Sequence, residues 1–119
     1  MVPRNITPDE MRLLLFLMHG AEEITASPSG LLAQMKVIDM DDGGMGSLRF
    51  IPEGDNPSGS MFGKRVSACQ FTDSDGVEVI ASLNVDNEGH LYELDVWKTN
   101  FEKLISIPKD ANSFRRLDE

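Results

Sequence analysis

Three residues with chemically useful side chains occupy alternate positions in the most strand-like part of the chain: Glu93, Asp95 and Trp97. Side chains two residues apart on a β-strand project from the same side of the sheet, about 7 Å from each other. The pattern therefore predicts a strip that carries two carboxylates and an indole. Such a strip suits acid–base catalysis by the carboxylates or docking of another protein on the aromatic ring.

The catalytic use depends on the paired carboxylates. Two acids act as general acid and base in glycoside hydrolysis, where their separation sets the mechanism. A small hydrolase or ligand-binding enzyme that uses Glu93 and Asp95 beside Arg49 and Tyr92 is therefore one alternative. No series of aromatic residues for sugar stacking accompanies the pair, however, and paired acids on a solvated strand ordinarily serve solubility. We assign no catalytic residue and favour a protein that is not an enzyme.

The docking use matches the composition of protein interfaces, whose energetic centres combine an aromatic anchor with surrounding polar groups. We predict a partner-binding surface made of the strip, one nearby arginine and the rim of a glycine-rich segment, residues 41–46; its members are Glu93, Asp95, Trp97, Asp41, Asp42 and Arg49.

A competing interpretation makes the strip purely structural. A lone tryptophan is usually well buried, so Trp97 could pack beneath a returning segment, residues 101–107. The two acids would then pair with Lys98, Arg49 or Lys64. A homodimer that forms through the strip, with a structural or regulatory role, is a further alternative.

Other motifs give no metal or cofactor site. The Asp-Ser-Asp-Gly segment at residues 73–76 resembles half of a calcium loop but lacks the remaining ligands, and Asp-Gly pairs are common in turns. Residues 41–46 have neither the spacing nor the lysine of a phosphate-binding loop. His19 and His90 have no cysteine or histidine at metal-ligand spacing. We therefore expect no metal and no cofactor.

Composition narrows the class of partner. The chain has 119 residues, with 11 basic and 20 acidic side chains and a formal charge of -9. This charge repels nucleic acids and anionic lipids and attracts basic proteins, so a basic protein is the favoured partner. The longest apolar run, residues 13–18, is too short to span a membrane. The single Cys69 fits a buried small apolar residue in a reducing, cytoplasmic compartment.

A helix and several strands must position these residues. Thr7 as N-cap, Pro8 in the first turn and Glu10 three residues after the cap predict a helix over about residues 8–19, ended by Gly20. Alternating apolar residues predict strands at 35–40, 45–51, 64–71, 77–85 and 90–96, joined in part by glycine turns at 41–44, 73–76 and 86–89. The sequence does not decide between a turn and one short helical turn at residues 27–32, or between helix and strand over residues 28–34.

The strands predict which side chains the helix covers. The helix-facing residues of the last hairpin are expected to be Val77, Val79, Ala81, Leu83, Val85, Tyr92, Leu94 and Val96. The chain is therefore expected to be a single domain, residues 1–119, of the α+β class. Its N-terminal helix packs on an antiparallel sheet of about five strands, largely a β-meander, over about residues 35–99. We expect residues 52–60 to form an exposed loop and a tail over about residues 108–119 to be frayed.

The segments DDGGMGSLRF at 41–50 and ELDVWK at 93–98, with the helix start at Thr7, resemble a family of small bacterial proteins of unknown function. The resemblance implies a bacterial, cytoplasmic protein, similar in size and acidity to toxin-neutralising immunity proteins, and it assigns no functional residue. The sequence therefore predicts a non-enzymatic protein-binding module, in its most specific form an immunity-type inhibitor of a basic partner.

Overall fold

The computed structural model of the chain describes residues 2–22, 24, 27–52 and 61–117. Helix α1 spans Pro8–His19 and begins with the predicted capping box. The Thr7 hydroxyl accepts the Glu10 backbone N–H at 3.2 Å, and the Glu10 carboxylate accepts the Thr7 N–H at 2.9 Å. Arg4 donates to both Glu10 carboxylate oxygens, which ties the segment before the helix to its first turn. A second, short helix, α2 at Pro28–Ala33, decides between the two alternatives for residues 28–34.

Among the described residues, six strands form one sheet: β1 at Met35–Asp39, β2 at Leu48–Pro52, β3 at Phe62–Thr72, β4 at Glu78–Asp86, β5 at Leu91–Lys98 and β6 at Arg115–Arg116. Their order is β1-β2-β5-β4-β3-β6, and every neighbouring pair is antiparallel. The meander is β3-β4-β5, and the β1-β2 hairpin lies beside β5. The α+β architecture with a helix on an antiparallel sheet is confirmed. Of the predicted loop at 52–60, Pro52 is instead the last residue of β2, and residues 53–60 lie outside the described residues.

The hydrophobic core lies between the helices and one face of the sheet. Leu13, Leu14 and Leu17 of α1 are fully buried in the core. Helix α1 contacts β3 and β4, and Val79 and Leu83 of β4 belong to the same core. We call this the inner face and the opposite side the outer face. Both helices contribute to the core on the inner face. No helix among the described residues is both long and apolar enough to cross a bilayer.

The prediction for the start of β5 is wrong at two residues, because the strand carries a bulge there: Leu91 was expected on the outer face, in alternation with Glu93, and Tyr92 on the inner face. Leu91 pairs with Val85 and Glu93 pairs with Asn84, so two residues of β5 oppose a single step of β4. A bulge shifts the alternation by one. Leu91 therefore belongs to the core, and Tyr92, expected on the inner face, instead contacts Arg49 on the outer face.

The described part of the tail, residues 108–117, packs on the molecule, contrary to the expected fraying. Phe114 is buried, with ring centroids 5.3 Å from Phe16 and 5.8 Å from Phe71. Strand β6 extends the sheet at β3, and the Arg116 guanidinium lies 4.3 Å from the Phe16 ring centroid. One buried aromatic ring and one stacked arginine hold this polar segment in place.

Candidate functional site

The outer face of β5 carries the predicted strip. Between Glu93, Asp95 and Trp97, the intervening side chains Leu94 and Val96 are buried in the core. Asp95 is exposed, Trp97 is 42% exposed and Glu93 is partly buried. Strand β5 pairs with β4 along the whole strip and with β2 at Glu93 and Leu94, so the backbone is paired on both edges at Glu93 and on the β4 edge at Asp95 and Trp97. We refer to these three residues as the acidic-aromatic strip.

Trp97 keeps much of its surface despite a neighbouring ring. Its indole lies 6.1 Å from the Phe101 ring centroid, with an interplanar angle of 57°. Phe101 is itself 70% exposed, so it flanks the indole without burying it. From the same returning segment, Leu104 and Ile107 pack against the core. The interpretation in which this segment buries Trp97 is therefore wrong.

Glu93 is held by a neighbour on β4. Its carboxylate accepts a hydrogen bond from the Asn84 side-chain amide at 3.0 Å, and Asn84 is buried. This bond fixes the direction of the carboxylate on the outer face. Asp95 is placed differently, because its carboxylate accepts a long hydrogen bond from the Ser47 hydroxyl, at 3.5 Å. The two acids of the strip thus have separate environments, one partly buried and one exposed to water.

Arg49 lies beside the strip as predicted. It is directly opposite Glu93 in the β2–β5 register. Its guanidinium carbon is 4.0 Å from the Tyr92 ring centroid, which is a cation–π distance. Its Nε is buried without a hydrogen-bond partner among the described residues. Arg49 therefore lies flat on Tyr92, at the end of the strip away from Trp97.

The glycine-rich rim lies next to Asp95, but only part of it is available for binding. The Asp42 carboxylate accepts the backbone N–H groups of Gly44, Met45 and Ser47 at 2.9–3.2 Å. Gly43 and Gly44 have positive φ, as predicted for this turn. The carboxylate of Asp42 thus shapes the loop. Asp41 is exposed, with no such internal role among the described contacts.

Ser47 connects this rim to β5. Its hydroxyl oxygen accepts the Val96 backbone N–H at 2.9 Å, on a buried part of the strand. The rim and Asp95 are therefore brought together by the last residue before β2. The sequence analysis did not single out Ser47. Its signal was only its place directly before an apolar strand.

Lys98 does not pair with the acids of the strip. It alternates with Val96 and therefore points to the inner face, where it is fully buried. Its ammonium lies 2.9 Å from Asp73 and 2.6 Å from Asp75, and it donates to the Lys103 carbonyl at 3.0 Å. These contacts join the β3–β4 turn to the segment that follows β5. The two aspartates that resembled half of a calcium loop are thus paired with a lysine.

Asp73 is the centre of this network. Burial alone would raise its pKa, but hydrogen bonds from the Ile105, Ser74 and Ser106 backbone N–H groups and from Lys98 outweigh burial and lower the pKa to about 2. The Lys98 hydrogen bond lowers the pKa of Asp75 as well. For Lys98, the two carboxylates outweigh burial and raise the pKa of the ammonium. All three groups are therefore held in their charged forms.

Comparison with known proteins gives one match. The profile of a family described as a domain of unknown function (DUF6984) matches residues 3–108. No similar protein was found among curated proteins or among solved structures.

Proposed function

We propose that the chain, which belongs to this family of unknown function, is a non-enzymatic protein-binding module that holds a basic protein on its outer face. In its most specific form it is an immunity-type inhibitor. One observation carries the proposal: the sole tryptophan is exposed beside two carboxylates, on the face of the sheet opposite the helices. The surface consists of the acidic-aromatic strip, Arg49 and the exposed Asp41.

The exposed indole of Trp97 is the group expected to contribute binding free energy. Tryptophan is enriched among residues that contribute most to protein interfaces, because it buries a large area with few rotatable bonds. Leaving it in water has no benefit for the isolated chain. The backbone of Trp97 pairs with Ile80 of β4, so little backbone entropy is lost when a partner covers the indole. A rigid, exposed indole favours binding.

Charge favours a basic partner over a second copy of the chain. The formal charge of -9 attracts a basic protein at long range. In a two-fold dimer through the strip, Glu93 and Asp95 of one copy would meet the same acids of the other, and like charges in an interface are costly. The hydrolase alternative gains little from Asp95, which is exposed to water, whereas active sites exclude water from the reacting groups.

A reducing, cytoplasmic compartment of a bacterial cell is part of the proposal. Cys69 is free and buried, and burial raises the pKa of its thiol to about 12, only partly opposed by Arg116. A thiol of this kind is inert and needs no oxidising compartment. The bacterial source follows from the family resemblance described above.

Affinity capture from a lysate of the source cell tests the proposal. The wild-type chain is compared with Asp95→Asn/Trp97→Ala and with the matched control Glu88→Gln/Phe62→Ala. The control also removes one exposed carboxylate and one exposed ring, but near the opposite end of β5. We expect a basic protein to be retained by the wild type and the control and lost by the strip variant. Equal retention by all three, or no basic protein at all, would refute the proposed function.

A further inference from the structure

Phe101 has an unusual backbone for an aromatic residue. Its φ is 65°, and it is the one described residue other than glycine with a positive φ. A bulky side chain rarely adopts this left-handed conformation, which glycine and asparagine accept more readily. The side chain of Phe101 is 70% exposed. The strained backbone costs free energy, and the exposed ring of Phe101 gains no free energy from burial in return. This combination points to a function of the ring at the surface.

The surrounding structure fixes this conformation. The Phe101 N–H donates to the Lys98 carbonyl at 2.8 Å, and the Thr99 N–H donates to the Glu78 carbonyl at 3.0 Å. Lys98 itself is anchored by the buried Asp73 and the exposed Asp75. The ring of Phe101 is thus held against Trp97 by a turn that begins at a buried ion network. We call Trp97 and Phe101 the aromatic pair.

Two exposed acidic residues lie close to the aromatic pair in the chain, and one exposed lysine, Lys103, follows them. Asp95 projects from the same face of β5 two residues before Trp97, and Glu102 is exposed directly after Phe101. An apolar partner side chain would desolvate these carboxylates without compensation, which is unfavourable. A cation would meet both the negative faces of the rings and the carboxylates. The chain makes the same type of contact internally, where Arg49 stacks on Tyr92 and Arg116 on Phe16.

From this geometry we infer that the aromatic pair binds a cationic side chain of the basic partner, with arginine preferred over lysine. A guanidinium is planar, stacks on aromatic rings and is more weakly hydrated than an ammonium. Asp95 supplies the counter-charge. The inference rests on the proposed function and names the partner group that would contact Trp97. It also accounts for Phe101, which the predicted strip did not include.

A labelled heptaarginine peptide serves as the probe, with fluorescence anisotropy for binding at physiological salt. The emission of Trp97 gives a second, local readout, because the chain has one tryptophan. We expect saturable binding with a change in Trp97 emission, and weaker binding of heptalysine. A peptide of seven citrullines, which keeps the shape of arginine without its charge, should not bind.

The variant Phe101→Asn separates binding from stability. It removes the ring and suits the left-handed backbone, so its thermal midpoint should be no lower than that of the wild type. Its affinity for heptaarginine should fall about 2- to 5-fold, the value expected for one cation–π contact. The control Phe62→Asn, which removes another exposed ring, should bind as the wild type does.

Several outcomes would overturn the inference: no binding of heptaarginine, binding with unchanged Trp97 emission, equal binding of the citrulline peptide, or full affinity in Phe101→Asn. Failure of the aromatic contact can be distinguished from failure of the proposed function. If Asp95→Asn weakens heptaarginine binding while Phe101→Asn does not, the aromatic contact is wrong and a basic partner on the strip remains supported. If the capture experiment returns no basic protein, the proposed function fails regardless of the peptide.

Discussion

Lys98 and Trp97 are adjacent in sequence and point to opposite faces of β5. The contacts of Lys98 on the inner face therefore help to position Trp97 on the outer face. Lys98 is fully buried and pairs with the buried Asp73 and the exposed Asp75, which fixes the end of the strand and the turn after it. Trp97 is thereby presented on the outer face beside Phe101. The removal of one member of a buried ion network leaves an uncompensated charge, which is strongly destabilising. The network therefore contributes both stability and the geometry of the surface.

Asp73 makes stability depend on pH in the acid range. Its pKa is lowered from an ordinary 3.8 to about 2 in the folded chain. A depressed carboxyl pKa contributes stability that is fully present above the unfolded-state value and is lost as pH falls through the folded-state value. The free energy of unfolding, measured with urea at a series of pH values, should therefore fall between about pH 4 and pH 2.

The variant Asp73→Asn cannot lose this contribution by protonation, so its free energy of unfolding should decline less steeply over the same interval. Glu88→Gln, at an exposed side chain, should follow the wild-type curve. Parallel curves for the wild type and Asp73→Asn would contradict the role assigned to the network.

Individual residues show what the sequence could and could not reveal. Strand alternation was enough to place Glu93, Asp95 and Trp97 on one face, because the period of a strand is local. The partners of Lys98 were not evident, although alternation places that lysine on the inner face. Its aspartates lie on another turn, 23 and 25 residues earlier in the chain, and only the folded sheet brings them near. The left-handed backbone of Phe101 had no sequence signal, since glycine or asparagine would have been expected there.

At the scale of elements, the sequence predicted best those helices and turns that are stabilised by contacts between residues close together in the chain. The capping box of α1 and the glycine turns between β3, β4 and β5 are formed by residues a few positions apart. Pairing of β2 with β5 joins residues 48 and 94, which no local pattern encodes. The bulge at Tyr92 shifts the alternation of inward- and outward-facing side chains by one residue, so a strict period-two pattern could not predict it. The tail looked polar because one residue, Phe114, makes most of its core contact.

Phe114→Ala tests whether the tail is part of the fold. Its ring is buried against Phe16 and Phe71, and truncating a buried phenylalanine costs about 3–5 kcal/mol. We expect a loss of this size in the free energy of unfolding, measured by urea denaturation. The control Ile105→Ala, at a side chain 61% exposed, should change it by less than about 0.5 kcal/mol. A loss below about 1 kcal/mol for Phe114→Ala would mean that the tail is frayed after all.

The whole molecule carries a formal charge of -9. Under the proposed function, this charge acts over distances up to the Debye length and steers a basic partner during its approach. The proposal assigns the affinity at short range to the indole, its ring neighbour and the carboxylates near them. Because long-range charge acts during the approach and short-range contacts act in the complex, we predict that salt changes the rate of association more than the rate of dissociation.

Stopped-flow mixing with the captured basic protein tests this division. Between 50 and 300 mM salt, the association rate constant should fall about tenfold or more, while the dissociation rate constant changes little. Asp95→Asn should reduce the slope of this dependence, and Trp97→Ala should mainly raise the dissociation rate. An association rate that does not respond to salt would show that the net charge has no part in recognition.

The central claim is that a partner covers the outer face at Trp97, and fluorine NMR measures this directly. Incorporation of 5-fluorotryptophan gives one resonance, because position 97 is the single tryptophan of the chain. On saturation with the captured basic protein, we predict a shift of that resonance and protection of the fluorine from a soluble paramagnetic agent. A complex that forms while the resonance and its solvent accessibility stay unchanged would contradict the account.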